Sequence, residues 1–194
     1  MFNTNPDKLN KLVAGQKAPL FTTKDALGKR ISLSRIDSRY ILLVFFRYAG
    51  CAWCNLAIHR LSLEYKTLKD HDCEAIAFVQ SDEMAIDNNI YQRHAKTPKF
   101  SIIADRDRKY YSQYGIADSV PAAVKSIKSI PAWMHSVKDH GFKQDWVDGN
   151  LFLVPASFLI DGRTLKIIQS NYGSSYYEAE AFMDIYQSVF FKEL

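Results

Sequence analysis

The sequence predicts an α/β fold, with a sheet between helices, and two observations carry this prediction. Strand-like and helix-like segments alternate along the first part of the chain. The predicted strands cover residues 40–46, 74–80 and 101–104, and the predicted helices cover 55–69, 82–94 and a short stretch from Asp105 to Gly115. The first strand is almost entirely apolar, which is typical of a strand buried on both faces. We therefore expect helices on each side of the sheet.

Two hairpins flank this unit in the sequence. Residues 20–33 predict a hairpin ahead of the first central strand. Asp161-Gly162 is a strong hairpin signal between predicted strands over 152–160 and 163–169. A final helix is expected over 176–191. All of these segments belong to one predicted domain.

Residues 116–150 fit neither pattern and are interpreted as an insertion in a single domain spanning residues 1–194. One or two helices are expected between residues 122 and 134. Trp133 and Trp146 supply apolar bulk in this stretch. The insertion is therefore a candidate surface for a partner or for a homodimer contact.

Composition excludes several classes of protein. The net charge is +4, and the basic residues are spread along the chain without a basic block, so nucleic acid is not an expected partner. No apolar run reaches the roughly 18 residues of a membrane span, and the first residues lack an apolar signal core. We expect a cytoplasmic protein without a membrane partner. Three cysteines are too few for a disulfide scaffold.

Two of the cysteines, Cys51 and Cys54, form a Cys-x-x-Cys pair where the apolar strand gives way to a helix. A thiol at a helix N-terminus faces unpaired backbone N–H groups and the positive end of the helix dipole, which favour the nucleophilic thiolate. Arg47 adds a positive charge nearby, and Trp53 lies between the cysteines as a candidate shield or docking surface. This pattern predicts a redox pair.

Less specific interpretations remain open for each of these residues. The cysteines could be structural, Arg47 could be a solvated charge at a strand end, and Trp53 could simply pack against the loop. A zinc site would need ligands beyond the two that one Cys-x-x-Cys supplies, so no metal is expected. Cys73 is interpreted as an inert buried thiol, and the five histidines as surface or capping residues.

Four segments, taken in order, resemble the redoxin branch of the thioredoxin fold, which includes alkyl hydroperoxide reductases and thiol-specific antioxidant proteins. They are Gly15-Gln16-Lys17-Ala18-Pro19-Leu20-Phe21, Phe46-Arg47-Tyr48-Ala49-Gly50-Cys51-Ala52-Trp53-Cys54, Gln80-Ser81-Asp82 together with Ala104-Asp105-Arg106-Asp107 and Tyr114-Gly115-Ile116, and Val154-Pro155-Ala156-Ser157-Phe158-Leu159-Ile160-Asp161-Gly162. The resemblance covers nearly the whole chain from Gly15.

The resemblance implies a thioredoxin-like fold with a central mixed sheet, an N-terminal hairpin extension and a helical insertion before a cis-proline strand. In that fold Pro155 would be cis and would present the backbone of Val154 to a bound thiol or peptide. It also implies thiol chemistry without a bound cofactor, with electrons from a thioredoxin-like or glutathione system.

The active-site segment departs from the family pattern in one respect. Typical peroxiredoxins carry Pro-x-x-x-Thr-x-x-Cys, where the proline and threonine shape the peroxide pocket. If Cys54 is aligned with the peroxidatic cysteine, Arg47 and Cys51 stand in those two places. The same change restores the Cys-x-x-Cys of thioredoxins, in which the more exposed N-terminal cysteine attacks. The roles of Cys51 and Cys54 therefore stay open at the level of sequence.

These observations lead to one hypothesis and two alternatives. The hypothesis is a thiol oxidoreductase that reduces hydroperoxides through Cys51 and Cys54. The first alternative is a thioredoxin-like reductase of protein disulfides. The second is a non-catalytic binding module on the same scaffold, with residues 116–150 as its contact surface.

Overall fold

The computed structural model describes residues 10–121, 126, 141–175 and 182–190. The strands are β1 (Thr22–Lys24), β2 (Arg30–Ser32), β3 (Tyr40–Phe46), β4 (Cys73–Val79), β5 (Ser101–Ala104), β6 (Ala156–Asp161) and β7 (Ile167–Tyr172). The α-helices are α1 (Ala52–Asp70), α2 (Glu83–Ile86), α3 (Lys109–Gln113) and α4 (Phe182–Phe190), and α2 runs directly into a π-helix at Asp87–Tyr91. The helices predicted between 122 and 134, with Trp133, lie outside the described residues.

The predicted mixed sheet is confirmed. Five strands lie in the order β5-β4-β3-β6-β7, with β3 at the centre. Strand β3 runs parallel to β4 and antiparallel to β6, because the β6–β7 hairpin enters the sheet from the opposite direction. Strands β1 and β2 form a separate antiparallel hairpin, as predicted for residues 20–33.

The apolar sequence of β3 is explained by burial on both faces. Leu42, Val44 and Phe46 belong to a core cluster shared with Leu61 of α1 and with residues of α4 such as Phe182. A second cluster on the opposite face combines three other β3 residues with aromatic side chains from the first hairpin and α3: Ile41, Leu43, Phe45, Phe21, Tyr110 and Tyr111. Alternate side chains of a strand point to opposite faces, so β3 contributes to both clusters.

Three helices differ in extent from the prediction. The helix predicted from Asp105 to Gly115 covers only Lys109–Gln113. Helix α1 begins at Ala52, which makes Cys51 its N-cap residue. The helix predicted over 82–94 is only a short α-helix followed by the π-helix, and Asp82 caps it by accepting a hydrogen bond from the Ala85 N–H at 2.8 Å. None of the helices in the described residues is long and apolar enough to span a bilayer.

The prediction of a cis-proline is wrong, because no described peptide bond is cis. The Val154–Pro155 bond is trans, the form that X–Pro bonds favour by about 0.5–1 kcal/mol. The Pro155 carbonyl accepts a hydrogen bond from the Gly173 N–H at 2.9 Å, so the backbone is held beside the end of β7.

Candidate active site

The Cys-x-x-Cys pair lies at the carboxyl end of β3, where the loop of residues 47–51 leads into α1. Cys51 is the N-cap residue, with extended backbone angles, and Cys54 lies in the first turn of the helix. Both are buried, with exposed fractions of 0% and 1%. The expectation that Cys51 is the more exposed thiol is therefore wrong, because a later segment of the chain covers the loop.

Hydrogen bonds and charge converge on the sulfur of Cys51. Its Sγ accepts from the Cys54 backbone N–H at 3.5 Å and from the Nη1 of Arg47 at 3.7 Å. Burial by itself raises the pKa of this thiol. The hydrogen bond from the Cys54 thiol, the Arg47 charge and the backbone N–H groups of Cys54 and Trp53 outweigh burial and lower the pKa to about 7.

The second thiol is shifted in the opposite direction. Burial raises the pKa of Cys54 well above its ordinary value, and the hydrogen bond to Cys51 and the Cys51 charge raise it further. A negative charge on the pair is therefore held by Cys51, while Cys54 stays protonated and donates to it. The arrangement provides one nucleophile and one protonated partner.

Arg47 is buried, with only 2% of its surface exposed. Besides its contact with Cys51, its Nη2 donates to the Leu151 carbonyl at 3.1 Å, and its guanidinium lies 5.1 Å from the centre of the Tyr48 ring. It is therefore not a solvated charge at a strand end. It links the thiolate to the segment that covers the site.

That segment, residues 141–152, is called here the covering segment. The Asp145 N–H donates to the Gly50 carbonyl at 2.9 Å, and the Gln144 amide donates to the Tyr48 hydroxyl at 3.0 Å. Outside the loop, Arg93 forms an ion pair with the Asp145 carboxylate. Gly50 permits the close approach, because an added Cβ there would lie 2.6 Å from the Trp146 carbonyl oxygen.

The other predicted site residues lie nearby with different roles. Trp53 is half-buried and packs against the core cluster that contains both cysteines. Because Ala156 pairs with Phe45, Val154 and Pro155 lie at the same end of the sheet as the cysteine pair. Trp146 is 81% exposed and lies on the outer side of the covering segment.

Several residues of the site could not be identified from the sequence. Ser81 accepts a hydrogen bond from the Ala49 N–H at 2.8 Å, and the Asn55 amide donates to the carbonyls of Ala49 and Cys51 at 2.7 and 3.0 Å. His94 was expected at the surface, but it is buried and bonds to Asn55 at 2.9 Å. Two sequence signals were available: Ser81 lies in the family-like segment Gln80-Ser81-Asp82, and Asn55 is a residue type that helix interiors disfavour.

The chain is similar to known proteins over most of its length. The model of the AhpC/TSA family matches residues 14–168. A peroxiredoxin Q, chloroplastic, of Oryza sativa subsp. japonica is 26% identical over 160 residues, which cover 82% of this chain and 68% of the relative.

Solved structures share the fold at low sequence identity. Peroxidoxin BcpB of Mycobacterium tuberculosis superposes with a TM-score of 0.64 at 13% identity, covering 91% of this chain and 95% of that one. A putative thiol:disulfide interchange protein DsbE of Chlorobium tepidum gives a TM-score of 0.60 at 18% identity, covering 92% and 98%. The chain belongs to the AhpC/TSA family, and it is a peroxiredoxin-like thiol-dependent oxidoreductase of the thioredoxin fold.

Proposed function

We propose that this protein reduces small hydroperoxides through a Cys51–Cys54 couple in which Cys51 attacks and Cys54 resolves. The observation that carries the proposal is the position of the Cys51 sulfur, which accepts hydrogen bonds from the Cys54 N–H and Arg47 at the start of α1. Alignment with typical peroxiredoxins would instead make Cys54 the attacking thiol. The opposite directions of the two pKa shifts support Cys51 instead.

The proposed reaction has two steps in this chain. The Cys51 thiolate attacks the outer oxygen of the hydroperoxide, the O–O bond breaks, and the alkoxide leaves and takes up a proton to become the alcohol. Cys51 is then a sulfenic acid. The Cys54 sulfur attacks the Cys51 sulfur, a disulfide forms, and the hydroxyl leaves as water with the Cys54 proton. A dithiol protein, or two molecules of a monothiol such as glutathione, then reduces the disulfide and restores the two thiols.

Arg47 has a function in the first step beyond lowering the pKa of Cys51. Its guanidinium is a fixed, permanently charged donor beside the reacting sulfur. Negative charge moves from the sulfur to the departing oxygen as the O–O bond breaks. A cation within reach of both stabilises that charge throughout, in a buried site where the interaction is strong.

The covering segment supports a small substrate over a protein disulfide. A thiolate must meet a disulfide sulfur directly, and both sulfurs of this pair are buried beneath residues 144–146. A hydroperoxide of a few atoms needs only a narrow opening, whereas a polypeptide disulfide needs the segment to move away. Disulfide reduction stays the second candidate, supported by the Cys-x-x-Cys spacing and by the likeness to the DsbE protein.

Stopped-flow kinetics with hydrogen peroxide and with cumene hydroperoxide test the proposal. Cys54→Ser should keep the first, fast step and accumulate a sulfenic acid on Cys51, whereas Cys51→Ser should lose it. The rate should rise with pH through a midpoint near 7, because the thiolate is the reactive form. A thiol no faster than free cysteine would refute the peroxidase, and rapid reduction of insulin disulfides would favour the second candidate.

The proposal also includes a reductant, a location in the cell and a contact surface. A thioredoxin-like protein or glutathione would reduce the Cys51–Cys54 disulfide. A cytoplasmic location would keep the pair reduced between turnovers. The exposed Trp146 on the covering segment offers a contact for the reductant or for a second copy of the chain.

A further inference from the structure

A buried polar pair, Asn55 and His94, lies behind the loop that carries Cys51 and takes no part in the proposed chemistry. Their exposed fractions are 2% and 7%. The Nδ2 of Asn55 donates to the Ala49 carbonyl at 2.7 Å and to the Cys51 carbonyl at 3.0 Å, and its Oδ1 lies 2.9 Å from the Nε2 of His94. Buried hydrogen bonds of this kind are costly to leave unmade.

The chemistry of the groups fixes where the protons are. The two carbonyl oxygens can only accept, so they must face the Nδ2 amide of Asn55, and its Oδ1 must face His94. The Nε2 of His94 therefore carries a proton. Burial and the neighbouring His59 lower the pKa of His94 to about 4, so the ring is neutral at physiological pH. His94 thus supplies orientation to Asn55 and no charge to the site.

We propose that Asn55 is a positioning residue for Cys51, and that His94 acts through Asn55 by holding its amide toward the loop. The amide joins the carbonyls on either side of Gly50, which keeps the loop in the shape that turns the Cys51 sulfur toward the Cys54 N–H and Arg47. The positioning does not depend on the oxidant, but its effect on turnover rests on the proposed function.

Loss of the Asn55 amide should raise the pKa of Cys51 for two reasons. The Ala49 and Cys51 carbonyls would face the site without a donor from this side chain, and their partial negative charge disfavours a thiolate. The loop would also relax and lengthen the contacts to the sulfur. The other titratable and charged groups around the pair would be left in place: Arg47, Tyr48, Cys54, His59, Arg93 and Asp145.

His94 also packs against the covering segment, with its ring centre 4.9 Å from that of Phe142. Substitution by leucine keeps an apolar contact there and removes the hydrogen bond to Asn55. Substitution by glutamine keeps a donor that can reach the same oxygen. The pair His94→Leu and His94→Gln therefore separates orientation of the amide from packing.

The test measures the thiolate titration of Cys51 by absorbance at 240 nm and by the pH dependence of its alkylation with iodoacetamide, located by peptide mass spectrometry. We expect Asn55→Ala to raise the midpoint from about 7 by about one pH unit. Alkylation at pH 7 should then be about five-fold slower, and the difference should vanish by pH 9.5. His94→Leu should shift the midpoint in the same direction, and His94→Gln should restore it.

A double variant tests whether His94 acts through Asn55. With Asn55 already replaced by alanine, His94→Leu should add no further shift. Ser62→Ala is the matched control, because Ser62 also bonds a backbone carbonyl of α1, at 2.8 Å, but lies away from the loop. It should titrate as wild type.

The inference would be overturned if the Cys51 titration midpoint were unchanged in folded Asn55→Ala and His94→Leu proteins. It would also be overturned by additive shifts in the double variant, or by alkylation that is slowed equally at all pH values. Circular dichroism establishes folding, and if Asn55→Ala does not fold, the His94 variants decide alone. Titration needs no peroxide. If the Cys51 thiolate of the wild type titrates near pH 7 but does not react with peroxide, the proposed function is refuted. The titrations of the Asn55 and His94 variants would still decide this inference.

Discussion

At the scale of single residues, the site makes two identical side chains chemically different. Cys51 is the N-cap residue of α1, so its sulfur faces the backbone N–H groups of the first turn and Arg47. Cys54 lies within that turn and has a hydrogen to donate. Burial acts to raise the pKa of both thiols, and it is overcome only at Cys51. The hydrogen bond between the two thiols lowers the pKa of its acceptor, Cys51, and raises that of its donor, Cys54, where the Arg47 charge and backbone N–H do not offset burial.

Substitution of Arg47 tests the origin of the low pKa of Cys51. Arg47→Gln should raise the pKa of Cys51 by about one unit and slow the reaction with hydroperoxide several-fold at pH 7, because a cation beside the thiolate is lost. Since the thiolate forms above its pKa, raising the pH should recover much of the rate. Arg47→Lys should keep most of the pKa shift, because it keeps the charge. The measurement is the pH dependence of stopped-flow peroxide reduction.

The control for Arg47 is Arg106→Gln, which removes a positive charge from an exposed side chain that pairs with Asp82. It should leave the pH profile unchanged. A rate that falls by the same factor at pH 6 and pH 9 in Arg47→Gln would contradict an effect on the pKa of Cys51.

At the scale of elements, the covering segment determines access to the pair. It is held by backbone contacts to Gly50, by Arg47 through the Leu151 carbonyl, and by the Arg93–Asp145 ion pair on its outer side. Beyond the loop, the Asn150 N–H donates to the Gln80 side chain at 2.9 Å. A segment tethered mainly by single hydrogen bonds and one exposed ion pair is expected to open locally without unfolding the sheet.

The ion pair can be removed with little other change. Asp145→Asn should speed alkylation of Cys51 a few-fold at low salt, because the segment opens more often. Asp70→Asn, which breaks the exposed Lys66–Asp70 pair on α1, is the matched control and should have no effect. Raising the salt concentration should speed alkylation of the wild type toward the variant's rate. Equal alkylation of Asp145→Asn and wild type would show that the ion pair does not hold the segment closed.

Substitution of Gly50 tests the close packing of the covering segment against the loop that carries Cys51. Its backbone does not need glycine, since its φ is not in the left-handed region, but an added Cβ would lie 2.6 Å from the Trp146 carbonyl oxygen. Gly50→Ala should therefore displace the covering segment and raise the alkylation rate of Cys51 well beyond that of Asp145→Asn. It should also increase the reduction of insulin disulfides. A crystal structure of Gly50→Ala with the segment still in place would contradict this account.

At the scale of the whole molecule, the parallel pairing of β3 and β4 separates the third cysteine from the other two. Tyr40 pairs with Cys73 and Phe46 pairs with Val79, so Cys73 lies at the start of β4, whereas Cys51 and Cys54 lie beyond the opposite end of β3. A strand of this length spans about 20 Å, whereas a disulfide needs Cα atoms within about 7 Å. Cys73 therefore cannot resolve an oxidised Cys51 in the folded protein.

The corresponding prediction is that Cys73→Ala leaves peroxide turnover unchanged. Burial, with the nearby Glu74 charge, raises the pKa of Cys73 to about 12, so its thiolate is absent at neutral pH. Peptide mapping of the oxidised protein without reductant should recover a Cys51–Cys54 disulfide in both proteins. A cross-linked peptide that contains Cys73, or a loss of turnover in the variant, would count against the assignment.

The sequence by itself determined the order of the elements in the central sheet and predicted that the cysteine pair is reactive. The run Tyr40–Phe46 marked the central strand, Asp161-Gly162 marked the last hairpin, and the position of Cys51 before an amphipathic helix indicated a reactive thiol. These features are local, since periodicity, turn chemistry and helix ends depend on neighbours along the chain. For that reason the sequence alone is sufficient to predict them.

Only the tertiary structure decided how the pair is enclosed and which thiol carries the charge. The covering segment meets Gly50 from about a hundred residues away, and His94 meets Asn55 across 39 positions of sequence. Burial, an ion pair and a buried hydrogen bond between distant residues leave no periodic pattern in the sequence. The environment of Cys51 is the sum of such contacts, so its pKa and its access to substrate are properties of the folded chain.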